Sequence, residues 1–137
     1  MPSRTATLRT VGEIAERNLV ILDENTLVGE AAKEMQKNGL SSVLVSRKDL
    51  KEPLGIATER DILYRVIAQN AGPFKITLKD IMTYPLLTID ESTSVMDAID
   101  LMKNKEIRRL PVTKGGRIEG LITLMSAIQN MPEQSTD

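Results

Sequence analysis

The sequence of 137 residues contains no cysteine and no histidine. Their absence excludes disulfides, thiolate nucleophiles, zinc sites built on these residues and the histidine base of most hydrolytic triads. Aromatic residues are scarce as well, because Phe74, Tyr64 and Tyr84 are the complete set. Three rings are too few for the stacking platform of single-stranded nucleic-acid binders. We therefore expect neither an enzyme nor a protein that stacks bases.

An excess of charge of one sign is also lacking. The sequence has 18 Lys and Arg residues and 19 Asp and Glu residues, which gives a net charge of -1. No apolar run approaches the roughly 20 residues of a spanning helix, and the first residues lack the apolar segment of a secretory signal. We expect a folded protein of the cytoplasm that does not enter membranes. A basic cluster between residues 103 and 117 raises nucleic-acid binding as an alternative, but the balanced charge and the absence of a reading helix argue against it.

What the sequence does contain is an internal repeat. Residues 11–45 align with residues 78–112 at a shift of 67 without a gap, and nine of these 35 positions are identical. After a loop two residues shorter in the second copy, Gly-Ile-Ala-Thr (55–58) aligns with Gly-Leu-Ile-Thr (120–123). Such self-similarity indicates a tandem duplication. We expect one repeat over residues 8–70, a second over residues 71–131, and a disordered tail over residues 132–137.

Each copy predicts the order strand, helix, strand, strand, helix. The first strands cover residues 19–22 and 86–89, and the helices after them carry apolar residues at i, i+3, i+4 and i+7. Two hairpins follow, with a tight turn at Gly115-Gly116 in the second. The late helices span residues 59 to about 69 and about 124 to 130. We expect the charged loop 47–52 to be solvated and four methionines to pack in the core: Met35, Met82, Met102 and Met125.

Three motifs in register with the repeat resemble the tandem CBS domain pair, or Bateman module. They are Asp-Ile-Met-Thr (80–83), Ile-Arg-Arg-Leu-Pro-Val (107–112) and Gly-Ile-Ala-Thr-Glu-Arg-Asp (55–61), the last matching the family pattern Gly-h-x-Thr-x-x-Asp, where h is apolar. The resemblance implies a stand-alone CBS domain-containing protein. Its implied fold is α/β (α+β), with two β-α-β-β-α repeats packed with pseudo-twofold symmetry. It also implies a regulatory module without catalytic residues, required cofactor or metal, which binds AMP, ADP or ATP as an effector and modulates an unknown protein target.

The resemblance further implies which residues line the clefts between the two repeats. Asp61 takes both ribose hydroxyls, the Thr58 hydroxyl reaches phosphate, and apolar residues enclose the adenine. The implied ligand-binding residues are Leu19, Val20, Ile56, Thr58, Arg60, Asp61, Arg108 and Arg109. A second, weaker cleft is implied at Leu86, Leu121, Thr123 and Ser126, because Ser126 stands where the first copy has its aspartate.

The residues at this motif support two interpretations without the family. Thr58 lies where a strand ends and a helix begins, so backbone N–H groups are available to a phosphate. One turn later, the Asp61 carboxylate is suited to accept two hydrogen bonds from a vicinal diol. The same Thr-x-x-Asp spacing is also that of a capping box, in which both side chains serve only the helix. The sequence leaves both interpretations open.

Apolar residues on the two late helices predict self-association. A single core cannot easily cover all of Ile62, Leu63, Val66, Ile67, Leu124, Met125 and Ile128. We therefore expect a homodimer. The alternative function is a CBS-pair scaffold for dimerisation or protein docking, without a physiological nucleotide.

Overall fold

The computed structural model describes residues 9–130, so the predicted disordered tail at 132–137 lies outside the described residues. In chain order the elements are α1 (Val11–Ile14), β1 (Ile21–Asp23), α2 (Val28–Asn38), β2 (Ser42–Ser46), β3 (Gly55–Thr58), α3 (Glu59–Ile62), a π-helical segment (Leu63–Ile67), α4 (Leu78–Ile81), β4 (Ile89–Asp90), α5 (Val95–Lys105), β5 (Arg109–Lys114), β6 (Arg117–Thr123) and α6 (Leu124–Gln129).

These elements form two compact units. The first unit comprises residues 18–86, and the second comprises, within the described part, residues 9–17 and 87–130. Each unit contains one three-stranded sheet, in the order β1-β2-β3 or β4-β5-β6. In both sheets the first strand is parallel to the central strand, and the central strand is antiparallel to the third. The predicted mixed fold of two similar repeats is confirmed.

The longest helix of each unit follows the predicted periodicity. Its apolar stripe is buried in both copies, as Val28, Ala31 and Met35 in α2 and Val95, Ala98 and Met102 in α5. Both helices end at a residue in the left-handed conformation, Gly39 with φ 64° and Glu106 with φ 54°. Gly adopts this conformation without strain, whereas Glu does so at a cost. The tight turn at Gly115-Gly116 is confirmed, since both residues have positive φ.

One prediction about side-chain burial is wrong. Met35 and Met102 are core residues and Met82 packs against the first core, but Met125 is 57% exposed on α6. The charged loop is solvated as predicted, since residues 47–51 are exposed, but its first residue has a partner that was not predicted. Arg47 forms a two-point ion pair with the carboxylate of buried Glu24, with Nε 2.6 Å from Oε2. Hydrogen bonding to that carboxylate raises the pKa of Arg47.

The late helix of the first unit is not the regular helix predicted over 59–69. After the four residues of α3 it continues as the π-helical segment, where the Ala68 N–H donates to the Leu63 carbonyl at 2.8 Å. The helix then ends at Asn70, which has φ 56°, with the Asn70 N–H donating to the Ile67 carbonyl at 3.0 Å and the Ala71 N–H to the Val66 carbonyl at 2.9 Å. This is the bond pattern of a Schellman end, which returns Ala71 to the side of buried Val66, where it packs against the first core.

The opening helices pack on the sheets of the opposite repeats. Val11 and Ile14 of α1 belong to the core of the second unit, which is otherwise built from residues after 94. Leu78 and Ile81 of α4 belong to the core of the first unit, otherwise built from residues 28–66. The compact units therefore differ in composition from the sequence repeats. This exchange was not predicted from the sequence.

The residues just after each opening helix pair with the third strand of the same unit through an isolated β-bridge. The Ile56 N–H donates to the Thr83 carbonyl at 3.1 Å, and the Thr83 N–H donates back at 2.8 Å. Glu16 and Leu121 make the equivalent pair of bonds in the second unit, at 2.8 and 2.9 Å. Gly55 permits this approach, because a Cβ there would lie 2.9 Å from the Thr83 carbonyl oxygen.

Candidate functional site

The Thr-x-x-Asp motif lies at the end of β3 and the start of α3, which we term the first junction. Thr58 has extended backbone angles and is the N-cap of α3. The Asp61 Oδ2 accepts from the Thr58 N–H at 2.9 Å and from its hydroxyl at 3.1 Å. The Asp61 N–H donates to the Thr58 Oγ1 at 3.2 Å. The capping interpretation is therefore confirmed in its geometry.

The two carboxylate oxygens of Asp61 have different surroundings. Oδ2 receives both hydrogen bonds from Thr58. Oδ1 instead lies 3.8 Å from Nε of Arg65, one turn later, which is an ion-pair distance and longer than a hydrogen bond. The Asp61 side chain is 12% exposed. Because the cap occupies only one oxygen, capping and acceptance of a ligand hydroxyl at Oδ1 are compatible in one side chain.

Backbone N–H groups at the first junction are less available than the sequence predicts. The Thr58 N–H is bonded to Asp61, the Asp61 N–H to Thr58, and the Glu59 N–H to the Ser41 carbonyl at 2.9 Å. Three donors near the helix start are therefore committed within the protein. Arg60 is exposed, with its guanidinium 5.8 Å from the centre of the Tyr64 ring. This exposed side chain is a local cation suited to an anionic group.

The sheet places Ile56 and Thr58 on one face of β3. They are two positions apart, and successive side chains of a strand point to opposite faces. Between them Ala57 is buried in the first core, so Ile56 and Thr58 face away from that core. Val20 does not share this face, because it packs against the first core. Leu19, which precedes β1, is half-buried.

The second junction, where β6 ends and α6 begins, repeats the cap with a neutral side chain. The Ser126 Oγ accepts from the Thr123 N–H at 2.8 Å and lies 3.0 Å from the Thr123 carbonyl oxygen, to which it donates. Ser126 is 2% exposed. Its one oxygen is committed to the cap, unlike the two oxygens of Asp61. This arrangement leaves no carboxylate for a diol.

The remaining predicted residues divide between the units. Arg109 pairs with Thr123 across the β5-β6 ladder, and the Arg108 carbonyl accepts from the Leu124 N–H at 3.1 Å, so both arginines flank the second junction. Leu121 is buried beside them on β6. Leu86 belongs instead to the first unit, where its N–H donates to the Leu54 carbonyl at 3.1 Å. The predicted second set therefore comes from both units.

A further Thr-x-x-Asp cap in the first unit provides an internal comparison. At the start of α4, the Asp80 Oδ2 accepts from the Thr77 N–H and from its hydroxyl, both at 3.0 Å. Both hydrogen bonds from Thr77 lower the pKa of Asp80, and the bond from the backbone N–H has the larger effect. Asp80 is exposed and nothing predicts a ligand there. Its carboxylate has the two capping bonds of Asp61 without the Arg65 contact, and its N–H donates to the Thr77 carbonyl at 3.0 Å.

Two contacts of the first junction were missed from the sequence. Thr83 pairs with Ile56, as described above, and the Arg65 Nη1 donates to the Ile81 carbonyl at 2.9 Å. The i, i+4 spacing of Asp61 and Arg65 is a signal that could have predicted their ion pair. Neither long-range contact has a signal in one sequence, because both depend on the position of α4.

Two absences apply to residues 9–130. No group of three or more His, Cys, Asp and Glu side chains in this range is suited to hold a metal ion. None of the helices in the same range has the length and apolar character needed to cross a membrane.

The sequence profile of the CBS domain matches residues 11–68 and 78–133. The chain therefore belongs to the CBS domain family and carries two CBS domains. An uncharacterized protein of Methanopyrus kandleri is 37% identical over 125 residues, covering 90% of this chain and 63% of that protein. Another, of Methanocaldococcus jannaschii, is 33% identical over 131 residues, covering 87% of this chain and 31% of that protein. The chain thus spans less than two thirds of either relative.

Solved structures with this fold include the hexameric CBS-CP12 protein from bloom-forming cyanobacteria. It superposes with a TM-score of 0.82 at 28% identity, covering 88% of this chain and 69% of that one. The recognition of a CBS pair from three motifs and an internal repeat is confirmed.

Proposed function

We propose that this chain is a cytoplasmic regulatory module that binds an adenosine nucleotide, AMP, ADP or ATP, and thereby changes the activity of a partner protein. CBS pairs are generally regulatory or ligand-binding, and the chain carries two CBS domains. The observation that supports the nucleotide assignment is that the two carboxylate oxygens of Asp61 have different contacts. Oδ2 caps α3, whereas Oδ1 faces Arg65 at 3.8 Å. The role is binding and not catalysis.

A ribose diol matches the chemistry of Asp61 Oδ1. An ionised carboxylate oxygen only accepts hydrogen bonds and has more than one lone-pair direction for them. Vicinal hydroxyls supply two donors side by side. The positive charge of Arg65 lies 3.8 Å from this oxygen, too far for a short bond that would occupy it. Asp61 is also 12% exposed, so it is reachable and yet partly shielded from competing water.

The other groups of the first junction supply the remaining contacts in this proposal. Ile56 contributes apolar surface for the base on the same face of β3 as Thr58. Arg60, which is exposed beside Tyr64, contacts phosphate. It replaces the backbone N–H groups in that role, since those of Thr58, Glu59 and Asp61 already donate within the protein.

The second junction binds nucleotide weakly or not at all in this proposal. Ser126 has no carboxylate, and its hydroxyl is committed to Thr123 through both its oxygen and its hydrogen. Arg108 and Arg109 flank this junction and offer cationic groups without a diol acceptor. We therefore expect one nucleotide per chain.

Titration calorimetry of the purified protein against AMP, ADP, ATP and GMP tests this function. We expect saturable binding of at least one adenosine nucleotide with a stoichiometry near one per chain, and weaker binding of GMP. Native mass spectrometry of the protein as purified would also identify a retained ligand. Absence of adenosine nucleotide binding at millimolar concentrations would refute the proposal. An effector must in addition bind two states of the protein unequally to regulate a partner.

The second candidate function is a scaffold that pairs chains without a physiological nucleotide. It is favoured by exposed apolar residues on both late helices, which are Leu63, Tyr64 and Ile67 in the first unit and Leu124, Met125 and Ile128 in the second. The similar CBS-CP12 protein is hexameric. We keep the homodimer as the proposed state of this chain. Assembly that is unaffected by nucleotides, together with no measurable nucleotide binding, would favour the scaffold.

A further inference from the structure

Arg65 joins the candidate ligand-binding carboxylate to a different helix of the first unit. Its Nε lies 3.8 Å from the Asp61 Oδ1, and its Nη1 donates to the Ile81 carbonyl at 2.9 Å. The side chain is 55% exposed, yet its guanidinium contacts a fixed group on each side. Arg65 lies outside the three motifs that resemble the CBS family.

The Ile81 carbonyl is a rigid anchor for the guanidinium. Ile81 is the last residue of α4, and its side chain is buried in the first core. The final carbonyls of a helix lack partners within the helix and carry partial negative charge, so a cation there is favourable. Thr83, two residues further, is hydrogen bonded to Ile56. The anchor therefore belongs to the segment that also borders the predicted base-binding residue.

We propose that Arg65 is a positioning residue that holds Asp61 with Oδ1 directed to the ribose of the nucleotide. This inference rests on the proposed function of Asp61. The terminal torsion of an aspartate is broad, so the plane of its carboxylate is fixed by the contacts on its two sides, while a half turn only interchanges equivalent oxygens. Thr58 holds Oδ2 with two hydrogen bonds. Arg65 holds Oδ1 from the opposite side and does so from an anchored position.

The length of the ion pair explains how Arg65 positions Oδ1 without blocking it. A guanidinium bonded at 2.7 to 3.2 Å would take a lone-pair direction of that oxygen, whereas at 3.8 Å it contributes charge alone. The consequence is specificity for the sugar. Arg65 strengthens recognition of the ribose hydroxyls, so its removal should weaken the binding of ribonucleotides more than the binding of their deoxy analogues.

Arg65→Gln is the variant that tests this role. Glutamine keeps an N–H donor suited to the Ile81 carbonyl but removes the positive charge beside Oδ1. Arg65→Lys restores the charge. Arg17→Gln is the matched control, because Arg17 also donates to backbone carbonyls, of Gly12 at 2.8 Å and Glu119 at 3.2 Å, but lies in the second unit.

The measurement is the dissociation constant of each protein for AMP, 2′-deoxy-AMP and 3′-deoxy-AMP, together with its urea unfolding curve. We expect Arg65→Gln to lose about fivefold in AMP affinity and little for either deoxy analogue, so that the preference for ribose collapses. Arg65→Lys should recover part of that preference. Arg17→Gln should keep the wild-type preference. The unfolding curves establish whether each variant is folded. If Arg65→Gln does not fold, the comparison of Arg65→Lys with the wild-type protein tests the role of Arg65.

Three results would overturn the inference, and they differ from one another. An equal loss for AMP and both deoxy analogues would mean that Arg65 contacts phosphate directly. A changed stability with an unchanged preference for ribose would mean that Arg65 only supports the fold. In both cases the proposed nucleotide-binding function would stand. If the wild-type protein binds none of the three ligands, the proposed function fails and the role of Arg65 fails with it.

Discussion

The two Thr-x-x-Asp caps of the first unit allow capping to be separated from ligand binding within one protein. The change is Asp61→Ala, with Asp80→Ala as its matched control. Each substitution removes the same two hydrogen bonds, which Thr58 makes at 2.9 and 3.1 Å and Thr77 makes at 3.0 Å. Loss of such a cap costs about 1 kcal/mol of unfolding free energy. Both variants should therefore be destabilised by similar amounts.

Nucleotide affinity should distinguish the two variants. If the Asp61 Oδ1 accepts from the ribose diol, Asp61→Ala also removes hydrogen bonds to a charged group, worth about 1.5 to 3 kcal/mol. This corresponds to a loss of about ten- to 150-fold in affinity. Asp80→Ala should bind nucleotide as the wild-type protein does, because Asp80 lacks the Arg65 contact and lies on an exposed helix start.

Urea unfolding and calorimetric titration with AMP on the same samples measure both quantities. Each titration is carried out at a temperature where all three proteins are folded. If Asp61→Ala binds AMP as tightly as Asp80→Ala does, the carboxylate is only a cap and the reasoning at the first junction is wrong. A large affinity loss in both variants would show instead that helix capping in general controls binding.

Three further predictions concern the second junction, the exposed helices and the exchanged segments. Ser126→Asp should add a second nucleotide site per chain, measured as calorimetric stoichiometry, and a folded variant without one would show that an aspartate does not decide occupancy. The wild-type protein should sediment above the mass of one 15.2 kDa chain, and Leu63→Lys or Met125→Lys should shift it to that mass, whereas a monomeric wild type would refute a homodimer. Gly55→Ala should lose about 1 to 3 kcal/mol of stability, because its Cβ would lie 2.9 Å from a backbone carbonyl oxygen. Gly72→Ala should lose little, because the nearest atom to its Cβ is a flexible lysine carbon at 3.3 Å. Equal losses of unfolding free energy would contradict the close approach at Gly55.

Features that depend on local sequence were predicted well. The i, i+3, i+4, i+7 stripe of α2 requires only the helical period, and the turn at Gly115-Gly116 requires only residues that tolerate positive φ. The capping geometry of Thr58 and Asp61 is local as well, because donor and acceptor lie within four residues. For such features the interactions that form the structure lie within one window of sequence.

The features that were missed arise from packing between distant segments. The helix after Asp61 ends at Asn70 so that Ala71 joins Val66 in the first core, and a helix period alone does not report that contact. The Arg65 contact with Ile81 and the Arg47 ion pair with Glu24 join residues 16 and 23 positions apart. Met125 was predicted to be buried because methionine is usually a core residue, yet the face of α6 that carries it is exposed. A single sequence contains no signal for which elements meet.

The exchanged opening helices have a consequence for how this chain can be divided. A fragment cut at the sequence repeat boundary would carry α1, whose apolar side chains belong to the other sheet, and would lack α4, which its own sheet requires. Two such halves could complete their cores by exchanging these helices. In the intact chain one covalent molecule supplies both helices, so a division that keeps residues 18–86 together preserves the first core whole.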